Sequence, residues 1–96
     1  MADQKWWLYI LETVYGQLYT GITTDVERRL KEHTLGAPRG ARALRGKAPL
    51  QLRYCRLIGD KGQALRLEYA VKRLPRTRKM ALVTGEIAFE DAVTRR

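Results

Sequence analysis

At 96 residues the chain has room for one core and no more, because two cores would each fall near the roughly 40-residue limit below which chains need disulfides or metals. Its 45% apolar and 30% charged residues are the balance of a globular chain and exclude collagen-like, low-complexity and disordered classes. The charge is the most informative bulk property: 19 Lys and Arg against 10 Asp and Glu leave +9. The excess is concentrated centrally, since between Arg28 and Lys79 only Glu32, Asp60 and Glu68 are acidic. Such a field attracts polyanions, above all a nucleic-acid backbone, although a basic stretch can equally be a solvated surface.

The apolar run Trp6 to Leu11 is far shorter than the roughly 20 residues of a membrane span, and it follows Lys5 with no small-residue cleavage site behind it. The one cysteine, Cys55, can form neither an internal disulfide nor a thiolate zinc centre. Together these features predict a cytoplasmic protein with no membrane partner.

Lys5 to Glu12 alternates as a strand, with Trp6, Leu8 and Ile10 on one face and Trp7, Tyr9 and Leu11 on the other. Leu18 to Ile22 repeats the pattern after a Tyr15-Gly16 turn signal, so the two form a hairpin. Thr24-Asp25-Val26-Glu27 fits a capping box and predicts a helix over 25–34 with Val26 and Leu30 as buried anchors. Five Gly and Pro residues between Leu35 and Pro49 leave an irregular segment that carries Arg39, Arg42, Arg45 and Lys47 and no acid. Leu50 to Ile58 reads as a third strand, with Cys55 as a packing residue within it. After a turn at 59–62, a second helix runs to Leu74, where Pro75 stops it; Ala64, Leu67, Val71 and Leu74 form its apolar stripe. From Thr77 on, a helix, a Gly85 break and a short helix complete a β-β-α-β-α-α order. The expected fold is α+β: one two-layer domain over 1–96, a three-stranded antiparallel sheet flanked by helices, with its core over about 6–82 and a helical tail over 83–96.

No Cys/His cluster, phosphate-binding Gly-Lys-Thr loop, Gly-x-Ser-x-Gly elbow or dinucleotide fingerprint is present. Chemistry must therefore come from tyrosine, arginine, the single histidine and scattered carboxylates. Glu68 falls within the apolar stripe of the second helix; a half-buried carboxylate there is either ion-paired, with Lys72 at i+4, or a metal ligand. Arg29 and His33, four apart, share one side of the first helix. Tyr9 and Tyr19 stand on the two hairpin strands, where aromatic pairs also serve purely to stabilise sheets.

Leu8-Tyr9-Ile10 on the first strand, Leu18-Tyr19-Thr20-Gly21-Ile22-Thr23 on the second, Arg29, His33 and then Glu68 in the next helix resemble the GIY-YIG nuclease domain in order and spacing, from Trp7 to about Leu82. In size the chain is similar to small stand-alone bacterial members. Two departures stand out. Trp7 and Leu8 occupy the positions for which the first motif is named, and the chain contains no asparagine, which many active members carry in the last helix; Arg76, Arg78 and Lys79 occupy that region instead.

The resemblance implies a divalent-metal-dependent endonuclease that hydrolyses phosphodiester bonds in DNA, including branched or damaged structures. Its implied machinery is Glu68 as ligand to Mg²⁺ or Mn²⁺, Tyr9 as general base, and Tyr19 orienting water or phosphate. Arg29 would bind the scissile phosphate, and His33 would hydrogen-bond to a tyrosine or relay its proton. Arg39, Arg42, Arg45 and Lys47, with Arg76, Arg78 and Lys79, would hold the flanking backbone without reading sequence. Larger members add targeting domains, so specificity here is expected to be low or borrowed from a partner protein. The competing expectation is a non-catalytic nucleic-acid-binding module that keeps the fold.

Overall fold

A computed structural model describes residues 4–35 and 41–94. Strand β1 (Trp6–Glu12) lies at the centre of a three-stranded antiparallel sheet, with β2 (Leu18–Thr23) on one side and β3 (Gln51–Gly59) on the other. The β1–β2 turn is closed by Thr13, whose hydroxyl accepts from the amides of Tyr15 and Gln17. Gly16 takes a φ of 83° there, a conformation open to glycine because it lacks a Cβ.

The helices are α1 (Val26–Leu35), α2 (Lys61–Lys72), α3 (Arg76–Thr84) and α4 (Phe89–Val93), with a 3₁₀ turn at Arg42–Leu44. The α+β class and the element order agree with the sequence pattern, and the tail divides at Gly85 into α3 and the short α4. One start signal differs. The carboxylate of Asp25, not the hydroxyl of Thr24, caps α1 by accepting from the amide of Arg28 at 3.1 Å, and the hydroxyl of Thr23 accepts from the amide of Asp25. Aspartate at this position serves the helix dipole as well as the orphan amide, so a single cap at Asp25 replaces the expected Thr24–Glu27 box. Asp60 caps α2 in the same way, accepting from Gln63 at 2.8 Å.

Because side chains alternate along β1, each face of the sheet builds its own apolar cluster. Leu8 and Ile10 pack with Val71 of α2, Leu82 of α3, and Phe89 and Ala92 of α4. On the opposite face Tyr9 and Leu11 pack with Leu44 of the 3₁₀ turn, joined by the partly buried Tyr19, Leu30 and Leu50. The helical cover is thus divided: α2, α3 and α4 on one face, α1 and the 3₁₀ turn on the other. In α1 the anchors expected at Val26 and Leu30 are only partly covered, and the buried residue is His33.

Cys55 is not the packing residue expected. It pairs with Tyr9 across the β1–β3 ladder yet is exposed. Leu57, two residues on along the same face, is likewise 49% exposed, so this part of β3 lacks the cover that Leu44 gives Tyr9 and Leu11. Among the described residues, no helix is long and apolar enough to cross a membrane.

Candidate active site

The site is built outward from Tyr9. Its register partner on β2 is Gly21, and its ring lies across that residue: a Cβ on Gly21 would stand 2.5 Å from Tyr9 Cζ and closer still to the hydroxyl. Glycine is required here by close approach and not by its backbone angles. Tyr19, two residues before Gly21 on the same face, brings its ring centroid to 6.5 Å from that of Tyr9. The two tyrosines are diagonal neighbours on the sheet, since Tyr19 itself pairs with Leu11.

His33 of α1 completes an aromatic trio. Its ring meets Tyr19 edge-on at 5.5 Å, its Nε2 lies 2.9 Å from the Tyr9 hydroxyl, and its Nδ1 accepts from the backbone amide of Ala41 at 3.0 Å. At 1% exposure, a packed imidazole would cost free energy unless both nitrogens had partners, and both do. Burial, reinforced by the Arg29 guanidinium, pushes its pKa down to about 4.

Arg29 lies one helical turn before His33, and its positive charge favours the Tyr9 phenolate. It also pairs with Glu32 at 2.9 Å, while Arg28 lies 3.8 Å from the same carboxylate group. Burial dominates Tyr9 nonetheless. With the neighbouring Tyr19 it pushes the phenol up to about 12, Arg29 pulls the other way, and the negative charge of Glu68 adds a smaller upward push.

Glu68 belongs to α2, whose Val71 and Leu67 pack on the Leu8 face of the sheet, opposite the cluster that holds the tyrosines. α2 packs under β1 and the edge strand β2, and Glu68 projects from it with its side chain 18% exposed, its carboxylate 3.2 Å from Lys72 Nζ. The ion pair and the ligand role are compatible only if the lysine yields. Among the described residues, no group of three or more His, Cys, Asp or Glu side chains is placed to hold a metal. A half-buried single carboxylate with a displaceable cation fits Mg²⁺ or Mn²⁺ of the kind held largely by water and substrate phosphate oxygens, and it does not fit a fully protein-ligated ion.

An open groove of about 440 Å³ adjoins Arg29, lined by Trp6, Ile22, Thr24, Arg28 and Glu32, with Lys61 Nζ 5.1 Å from the Trp6 ring centroid. Trp6, Arg28 and Lys61 were invisible as a set in the sequence, because three separate elements supply them. The other cations are placed less coherently. Arg42, Arg45 and Lys47 flank Leu44 and belong to the Tyr9 face, whereas Arg76, Arg78 and Lys79 are on α3, whose Leu82 packs on the Leu8 face. The two sets therefore do not form one surface by core membership, and Arg78 already donates to the Asp91 carbonyl. Arg39 lies outside the described residues.

The sheet sets two tyrosines beside the arginine and histidine of α1, with Glu68 one helix further on, in the order in which the sequence resembles the GIY-YIG nuclease domain. The chain belongs to the GIY-YIG catalytic domain family, which matches residues 5–81. Among its relatives, a UPF0213 protein of Klebsiella pneumoniae is 51% identical over 90 residues, covering 94% of this chain and 83% of that protein. The UPF0213 protein YhbQ of Salmonella arizonae is 47% identical over 89 residues, covering 93% and 87%. The solution NMR structure of the UPF0213 protein BH0048 from Bacillus halodurans superposes with a TM-score of 0.55 at 40% identity, over 94% of each chain.

Proposed function

We propose that this chain is an endonuclease that hydrolyses phosphodiester bonds in DNA with little sequence specificity, and that it depends on a divalent metal. The observation that carries the reading is the Tyr9 hydroxyl, held over Gly21 against His33 Nε2, with Arg29 one helical turn before that histidine.

Hydrolysis of a phosphodiester needs a water stripped of a proton, donors for the charge that builds on the phosphoryl oxygens, and help for the leaving oxygen. A phenolate has room for three hydrogen bonds, so with His33 donating to it Tyr9 keeps a direction in which to accept a proton from water. Arg29, paired with Glu32 and lining the groove, would bring its charge to a phosphate there. Tyr19, edge-on to His33, fixes the imidazole plane and borders the space where water would stand. Glu68 would hold the metal ion, which when bound supplies a Lewis acid for the phosphoryl and leaving oxygens. Cancelling the charge of Glu68 also removes one of the influences that hold the Tyr9 phenol so high. Arg42, Arg45 and Lys47 would attract the flanking backbone on the Tyr9 face.

The test is nicking of supercoiled plasmid with Mg²⁺ or Mn²⁺ by the wild type, Tyr9→Phe and Glu68→Ala. Metal-dependent nicking lost in both variants supports the reading. DNA binding without any nicking, equal in all three proteins, would assign the chain to non-catalytic nucleic-acid binding instead.

A further inference from the structure

We infer that the backbone amide of Ala41 is a positioning group for this site: by donating to His33 Nδ1 it fixes the proton of the imidazole on Nε2, which makes His33 a permanent donor to Tyr9 and turns the Tyr9 hydroxyl proton away from His33. The reasoning is a count of donors. A backbone amide can only donate, so at 3.0 Å the Nδ1 atom must accept and cannot carry a proton. A neutral imidazole with a bare Nδ1 carries its proton on Nε2, and Nε2 has the Tyr9 oxygen at 2.9 Å. The Tyr9 oxygen therefore accepts from His33. With that lone pair taken by a donor, a neutral phenol can direct its own hydrogen only away from His33. His33 then cannot receive the proton of Tyr9, so the relay that the family resemblance leaves open is closed, and a proton leaving Tyr9 must pass to solvent or substrate.

The amide is held in place by packing. Ala41 caps the 3₁₀ turn Arg42–Leu44 with extended backbone, and Leu44, at 2% exposure, is inserted against Tyr9 and Leu11. The irregular basic segment thus has a second role besides attracting phosphate: its first described residue sets the proton position in the site. The consequence for turnover rests on the nuclease reading, whereas the tautomer does not.

Because the chain contains one histidine, its imidazole can be read without ambiguity in a ¹⁵N-labelled sample by long-range ¹H–¹⁵N correlation. Near neutral pH the wild type is expected to show an unprotonated Nδ1 and a protonated Nε2. Tyr9→Phe, which removes the partner of Nε2 and leaves Ala41 untouched, is expected to keep that pattern. Ala41→lactate, made by semisynthesis, replaces the amide N–H by an ester oxygen and is expected to move the proton to Nδ1. In cleavage assays it should lower kcat by about tenfold or more, the low end for loss of a group that orients an active-site histidine, with KM little changed. A protonated Nδ1 in the wild type, or an ester variant with the wild-type pattern, overturns the inference. So does a switch of tautomer in Tyr9→Phe, because Tyr9 and not Ala41 would then be in control. If no protein in the series cleaves DNA, the nuclease reading fails while the spectra still decide the proton's position.

Discussion

Acid should destabilise this protein through His33, and the size of the effect follows from the site. The imidazole is buried; the Tyr9 hydroxyl and the Ala41 amide occupy its two nitrogens, Arg29 opposes its protonation and Glu32 only partly offsets that. Its pKa is pushed down to about 4, against roughly 6.5 in the unfolded chain. Since the folded value is the lower one, the unfolded state binds more protons between these limits. The stability is therefore fully present above about pH 6.5 and is lost as the pH falls toward 4. The whole shift is worth about 3 kcal/mol, of which about 2.5 kcal/mol should be gone by pH 4.5. His33→Gln removes the titration, so the difference between wild type and variant in urea unfolding, followed by Trp6 and Trp7 fluorescence at pH 7.5, 5.5 and 4.5, isolates this residue from the carboxylates. The expected result is a wild type that loses about 2–3 kcal/mol relative to the variant over that range. Curves that run parallel, or an imidazole that titrates near 6.5 in the folded protein, would refute the reasoning.

Further outcomes can be checked separately. Gly21→Ala should push the Tyr9 ring from its seat, costing about 1–3 kcal/mol by thermal or urea unfolding, and it should impair cleavage more than DNA binding. Glu68→Ala should change stability by less than about 1 kcal/mol, since its ion pair with the half-exposed Lys72 is weak; it should abolish metal-dependent nicking and leave anisotropy-measured binding equal or slightly tighter. Replacing Arg42 and Arg45 together with Ala should flatten the dependence of log affinity on log salt by about two units, at roughly 0.9 per phosphate contact; an unchanged slope would make both residues solvated surface. Cys55 should react with a thiol reagent in the folded protein at the rate of an exposed thiol, and protection until unfolding would contradict its placement on the open edge of β3.

Much of the chain is written in local terms. The alternation of Trp6 to Leu11 separates the two faces of β1 correctly, because side chains on a strand must alternate whatever surrounds them. Gly16, Pro75 and Gly85 mark their boundaries for equally local reasons, through allowed backbone angles and a missing amide hydrogen. The Tyr9, Tyr19, Arg29, His33 and Glu68 set was legible as a motif, and the apolar stripe of α2 already showed Glu68 to be out of place beside it. What no stretch of sequence contains is the cover over each face. Cys55 looks like a core residue from its strand, and it is exposed because the cover on that face packs on Tyr9 and Leu11 and not on it. Trp6, Arg28 and Lys61 line or border one groove only because three elements meet there. Ala41 carries no chemical signal at all, and its role comes entirely from the amide that Leu44 pins beside His33. Local periodicity and steric rules act between near neighbours, so the sequence by itself determines the elements and the motif; burial, pKa and proton position depend on groups far apart in the chain, and only the tertiary structure decides them.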